Sequence, residues 1–327
     1  MSQLYAGDIP GLPFRLRLPI FSAPMFLVSG PELVIAASRA GIIGAFPNNN
    51  VRTTEEYGAW LEQISTALRR PDGKGYAHAW AANLITHSTN SRLKPDLEHI
   101  RKYQPPIVIT ALGSPKPVVD VVHDYGGLVL ADVVNLKLAE KAVQAGIDGL
   151  ACICAGAGGH TGHLSLFAFV SAVRSFFNGL VVAGGGIADG WGIAGALAAG
   201  ADMVYLGTRF IPTPESLADE RHKQMLIECG PDDLLVSAAL TGTIGSWLKP
   251  SLVQSGLDPN NMPATPERVH DSARSKDVRR WRDVWSAGQG VGAIKRIEPV
   301  GTVVDQLERE FGMALARLAG LSPARAG

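Results

Sequence analysis

Short apolar runs alternate with longer amphipathic stretches through the first two-thirds of the chain. The runs at 19–23, 41–45, 79–84, 106–110, 127–131, 148–153, 180–183 and 203–206 are rich in Val, Ile, Leu and Ala. Continuous apolar runs of this length predict parallel strands buried on both faces. Residues 31–39, 54–69, 93–103, 116–125, 135–145, 164–177 and 189–199 predict helices, some opened by capping residues such as Thr53 or Thr54 and Asp189. Eight strands with intervening helices predict an α/β fold, a (β/α)8 TIM barrel. An internal echo agrees: Ala40-Gly41-Ile42-Ile43, Ala145-Gly146-Ile147-Asp148 and Ala199-Gly200-Ala201-Asp202 each read as a helix end turning into a strand. A doubly wound sheet shares such units, so spacing alone does not separate the two folds.

After residue 211 the strand pattern stops. Residues 212–286 read as helices and turns that cover the barrel mouth, either gating it or meeting another subunit in a homo-oligomer. Val303, Leu307, Phe311, Leu315 and Leu318 recur at helical spacing, which predicts a packed terminal helix over 302–319. The expected organisation is a barrel made of 1–211 and 287–327, with 212–286 as a helical cover region.

Composition narrows the function. Thirty basic residues balance thirty acidic ones, and hydrophobic residues make up 46% of the 327. This excludes a disordered chain and gives no basic footprint for nucleic acid. No apolar stretch reaches the ~18 residues of a membrane span, and the N-terminus has no signal-peptide pattern, so a cytoplasmic protein is expected. The three cysteines, Cys152, Cys154 and Cys229, form neither a disulfide framework nor a CxxC pair, and Cys152 and Cys154 read as buried strand thiols.

Two constellations carry chemistry. In Leu180-Val181-Val182-Ala183-Gly184-Gly185-Gly186-Ile187-Ala188-Asp189, an apolar strand runs into three glycines and a capped helix. Bare glycines let backbone amides approach an anion, and the helix adds its positive end. The next strand ends in Gly207-Thr208. In barrels, phosphate sites are built from the loops after strands 7 and 8, so Gly184, Gly185, Gly186, Gly207 and Thr208 are phosphate-site candidates. The second constellation, Gly156-Ala157-Gly158-Gly159-His160-Thr161-Gly162-His163, follows the sixth predicted strand. Glycines around His160 leave it room to act on a ligand as acid, base or hydrogen-bond donor. No carboxylate or Cys lies at matching spacing within the loop, so no metal is expected there, and His163 is expected to cap or line the next helix.

With these pieces the chain resembles the nitronate monooxygenase family, formerly the 2-nitropropane dioxygenases, over nearly its whole length. The resemblance rests on Ala23-Pro24-Met25, Asn83, Ala157-Gly158-Gly159-His160, Ala183-Gly184-Gly185-Gly186-Ile187, Leu206-Gly207-Thr208-Arg209-Phe210, Thr213-Pro214-Glu215-Ser216 and Ser286-Ala287-Gly288-Gln289-Gly290. It implies a non-covalently bound FMN. Ala23, Pro24 and Met25 would line the flavin ring, Asn83 would meet its polar edge, and Gly158 and Gly159 would pass close to it. Gly185, Gly186, Gly207 and Thr208 would hold the phosphate, and His160 matches the family's catalytic histidine. Two departures stand out. Phe26-Leu27 replaces a frequent Gln-Gly pair after Ala-Pro-Met, and Asp132 stands near the flavin where a Lys or similar residue is frequent. The implied reaction is oxidation of an alkyl nitronate by O2 to a carbonyl compound and nitrite. The alternative is an NAD(P)H-dependent flavin reductase acting on a quinone or an enoyl thioester, which the same motifs would serve.

Overall fold

The computed structural model describes residues 11–264 and 282–321. Eight parallel strands close into a barrel: β1 (Ile20–Ser22), β2 (Ile43–Pro47), β3 (Trp80–Ile85), β4 (Ile107–Ala111), β5 (Leu128–Val133), β6 (Gly149–Ile153), β8 (Leu180–Gly184) and β9 (Met203–Leu206). Strand β9 returns to β1 through the pairs Ile20↔Val204, Phe21↔Tyr205 and Ser22↔Leu206, which leaves no open edge. Each predicted strand is present, displaced by at most a few residues. The helices α1 (Pro31–Arg39), α2 (Thr54–Leu68), α3 (Leu93–Tyr103), α4 (Lys116–His123), α5 (Leu136–Gln144), α6 (Leu166–Arg174) and α7 (Gly190–Ala198) alternate with them.

Strand side chains divide by parity. Phe21, Ile43, Ala45, Ala79, Ala81, Ile107, Ile109, Leu130, Ala151, Val182, Met203 and Tyr205 fill the interior. Their neighbours, such as Ala82, Val108, Val129, Leu150 and Val181, pack outward against the helices. This two-sided burial is why the strands read as continuous apolar runs rather than alternating ones.

The internal echo has a mechanical basis. Gly41, Gly146 and Gly200 follow helix ends at φ +87°, +86° and +105°, in the left-handed region that favours glycine. Asp148 then accepts from the Val129 amide (2.7 Å) and bonds His123 (2.8 Å), while Asp202 accepts from the Val181 amide (2.8 Å) and pairs with Arg174. Each carboxylate ties the start of one strand to its neighbour. Ile43 takes the equivalent place in the first copy and is buried instead.

The chain after β9 departs from expectation. A 3-10 turn at Thr208–Phe210 leads to α8 (Glu220–Glu228), but then come two strands, β10 (Leu234–Ser237) and β11 (Gly245–Leu248), before α9 (Lys249–Gln254). The region read as helices and turns therefore contains an antiparallel hairpin. Four-residue strands are too short to set a recognisable period. The hairpin recruits a third strand, β7 (Gly159–His160), from the glycine–histidine loop. Part of the polar stretch within 212–286 lies outside the described residues.

The terminal helix, α10 (Val300–Ala319), takes the eighth helical position, packed on α7 and α1. Val303, Val304, Leu307 and Phe311 join Leu33, Ile193 and Phe210 in one buried cluster. Gly190 allows the close approach, because a Cβ there would strike the Phe311 backbone amide. Leu315 and Leu318, predicted on the packed face, are instead partly exposed. Among the described residues, no helix is long and apolar enough to cross a membrane.

Candidate functional site

The predicted glycine segments converge at the C-terminal end of the barrel. The Gly156 carbonyl accepts from the amides of Gly186 (3.0 Å) and Gln289 (2.9 Å). The Gly288 amide donates to the Thr208 hydroxyl oxygen (2.8 Å). A Cβ on Gly158 would lie 2.7 Å from the Gly288 nitrogen and 3.2 Å from Thr208 Oγ1, and one on Gly185 would lie 2.7 Å from the Ala155 carbonyl oxygen. Gly185 and Gly186 sit at φ +151° and +70°. Three loops, after β6, after β8 and at 286–290, thus meet at distances that only bare backbone permits.

The β1 end closes the same cradle. A Cβ on Gly207 would lie 3.5 Å from the Met25 sulfur and 3.9 Å from Ala23 Cβ. Asn50 fastens the turn after Met25: its Oδ1 accepts from the Leu27 amide (2.7 Å), and its Nδ2 donates to the carbonyls of Met25 (3.0 Å) and Ser29 (2.7 Å). Leu27 sits at φ +60°. It therefore adopts the left-handed conformation that a glycine would take freely at this position. Pro24 is half-buried in the same turn.

Beneath this cradle, in the uppermost inward layer of the barrel, lies a small polar cluster. Asn83 donates to Asp132 Oδ2 at 3.3 Å. Tyr205 crosses the interior from β9, edge-on to Phe21 at 5.1 Å between ring centroids. Its hydroxyl neighbours the Asp132 carboxyl without a hydrogen bond of ordinary geometry, so that oxygen and Asp132 Oδ1 are both buried with no protein partner. Burial pushes the Asp132 carboxyl up to about 7, with the Asn83 amide and the nearby Tyr205 hydroxyl both opposing the shift. Gly184, paired with Tyr205, gives that ring its space, since a Cβ on it would lie 2.9 Å from Tyr205 Cβ.

His160 is held by strand pairing rather than by a loop alone. Gly245↔His160 and Ser246↔Gly159 pair β11 with β7, and the Thr161 amide donates to the Ile244 carbonyl (3.1 Å). The same β11 anchors the other glycine segment: the Ser246 hydroxyl donates to the Ala287 carbonyl (2.8 Å), and the Leu248 amide to the Trp285 carbonyl (3.0 Å). His222 supports it, stacked on Trp285 and bonded to the Ser286 carbonyl (3.2 Å); burial pulls its pKa down to about 4, so the ring is neutral.

Two local readings need correction. The positive end of α7 is partly spent within the protein: the Gly192 amide donates to Asp189 (2.7 Å) and the Gly190 amide to Glu310 (3.0 Å). His163 is exposed, and the cap of α6 is Ser165, whose Oγ accepts from the Ala168 amide. Cys152 and Cys154 are buried as expected, and burial pushes their thiols up to about 12 and 11. The residues that sequence reasoning left out of the site are Asn50, Tyr205, Gly288 and Gln289. The Ser-Ala-Gly-Gln-Gly motif signalled the last two, whereas an Asn after β2 and a Tyr in an apolar run carried no signal.

The cradle combines close backbone approach with a cluster of buried polar atoms beneath it. The sequence profile of the family described as nitronate monooxygenase matches residues 13–310. The chain belongs to the nitronate monooxygenase family. It is 28% identical to a nitronate monooxygenase of Paraburkholderia phytofirmans, over 92% of this chain and 94% of that one. It is 30% identical to a nitronate monooxygenase of Neurospora crassa, over 89% and 88%. Among solved structures, nitroalkane oxidase from Streptomyces ansochromogenes superposes with a TM-score of 0.77 at 24% identity, covering 93% of this chain and 98% of that one, a likeness of fold. As a member of the nitronate monooxygenase family, the chain is an oxidoreductase of the flavin-dependent kind.

Proposed function

We propose that this chain binds FMN at the barrel mouth and oxidises alkyl nitronates with O2 to a carbonyl compound and nitrite. The observation that carries the reading is the placement of His160 on β7, clamped to β11, beside a cradle of three glycine loops. Bound FMN supplies the redox chemistry, which no protein side chain provides. The protein's part is to place and to polarise. Ala23, Pro24 and Met25 line the ring from the β1 side, and Gly158 and Gly159 approach it from β6. Asn83 and Asp132 meet its polar edge. Gly184, Gly185 and Gly186 shape the phosphate end. The Gly186 amide is spent on Gly156, so donors to the phosphate come from elsewhere, Gly207 and the Thr208 hydroxyl among them. That hydroxyl accepts from Gly288 and keeps its own proton to donate. His160 orients the nitronate anion and carries a proton to or from it.

The test is an anaerobic titration of the FMN-loaded protein with propyl-2-nitronate, following the visible flavin bands. Bleaching by nitronate, and its loss in His160→Asn with FMN still bound, is the expected result. Bleaching by NAD(P)H with no response to nitronate would replace this reading with the reductase one.

A further inference from the structure

The buried cluster beneath the cradle has a feature that placing a flavin does not by itself require: an acid group in the barrel interior. Asp132 faces inward from β5, and the inward neighbours at its level on β4 and β6 are the uncharged Ile109, Ala111, Ala151 and Ile153. Asn83 from β3 reaches one carboxyl oxygen; the other lies by the Tyr205 hydroxyl from β9, and neither of those two atoms makes a hydrogen bond of ordinary geometry. Tyr205 is the only ionisable group that acts on Asp132 among the described residues; burial raises its phenol far above the ordinary value, so it stays neutral, and its hydroxyl, like the Asn83 amide, favours the ionised carboxyl, an effect that burial outweighs. Among the described residues no cation acts on Asp132 to balance a carboxylate, and an unpaired buried charge is strongly disfavoured.

We propose that Asp132 is a neutral carboxylic acid that donates its proton as a hydrogen bond to the polar edge of the flavin ring, so that flavin uptake is linked to one proton. This rests on the flavin reading above. A ring laid over the cluster removes what water reaches it and offers acceptor atoms, and both changes favour the protonated acid. The pKa of Asp132 is then higher in the complex than in the free protein. Between the two values, binding takes up a proton and affinity falls as pH rises. Tyr205 offers a second neutral donor to the same edge.

The experiment is FMN binding to the cofactor-free full chain from pH 7 to 9, read by quenching of flavin fluorescence. The FMN phosphate is already a dianion there, with a second pKa of about 6, so it adds no slope. The wild-type dissociation constant is expected to rise with pH, approaching about tenfold per unit for one linked proton. Asp132→Asn, whose amide can donate but not titrate, is expected to bind FMN with a flat profile. Equal slopes in the two proteins, or a folded Asp132→Asn that no longer binds FMN, would overturn the proposal. Should the variant not fold, titration calorimetry of the wild type at pH 8 in two buffers of different ionisation enthalpy reads the proton directly. Uptake approaching one proton per FMN supports the linkage, and none refutes it. Failure of the wild type to bind FMN at any pH sinks the flavin reading and this inference together; binding without linkage sinks this inference alone.

Discussion

Leu27 and Asn50 show how single residues can substitute for a sequence habit. A left-handed leucine costs about 1 kcal/mol relative to glycine, and the three Asn50 hydrogen bonds hold it there. Asn50→Ala is expected to cost about 2–3 kcal/mol of stability in urea unfolding, at roughly 1 kcal/mol per bond. Adding Leu27→Gly to that variant should recover part of the loss, because the turn then no longer needs a clamp. An Asn50→Ala protein as stable as the parent would show that the turn holds itself. At the same scale, the glycines that read most plainly as a phosphate motif turn out to serve the scaffold too: Gly186 lends its amide to Gly156 and Gly184 makes room for Tyr205.

Among the elements, the sheet β10–β11–β7 decides where His160 stands. Gly245 lies opposite His160, and a Cβ on it would lie 3.0 Å from the Trp247 indole. Gly245→Val should therefore displace β7 and lower turnover by on the order of 100-fold, the cost of about 1 Å of misplacement, a larger loss than its effect on FMN affinity, which Gly159 on the same strand also feels. Steady-state kinetics beside a flavin titration would separate the two effects, and unchanged turnover would count against the sheet as the positioning device. At the opposite end of the barrel, Asp202 ties the start of β9 to Val181 and Arg174. Asp202→Ala should lower stability by about 2–3 kcal/mol, as for a charge-assisted bond, without changing flavin affinity. A loss of FMN binding in that variant would contradict the division between a stabilising face and a reactive face.

The whole molecule is closed twice, by β9 returning to β1 and by α10 filling the eighth helical position after the long excursion at 212–299. Phe311 is the centre of that second closure, buried against α7. Phe311→Ala should cost about 3–5 kcal/mol and shift the denaturation midpoint with little change in its slope. A much smaller loss would mean that α10 is a dispensable appendage. The barrel, its eight strands and the seven helices between them were legible because burial on both faces writes continuous apolar runs, and because glycine at a helix end and Asp at a strand start recur with a mechanical purpose.

The sequence alone determined the strands and helices, the family resemblance and the glycine segments, since these depend on local pattern and on backbone conformations that favour glycine, whereas the closure of β9 onto β1 is a tertiary fact. It also determined the departures at Leu27 and Asp132, though not their consequences. Tertiary structure decided what depends on groups far apart in the chain. It brought Gly288 and Gln289 to Gly156, seated His160 on a strand 85 residues away, and spent the end of α7 on Glu310. It also turned Asp132 inward beside Asn83 and Tyr205, with no cation acting on it among the described residues. Such placements are energies of packing and desolvation between segments, and no window of sequence contains both partners.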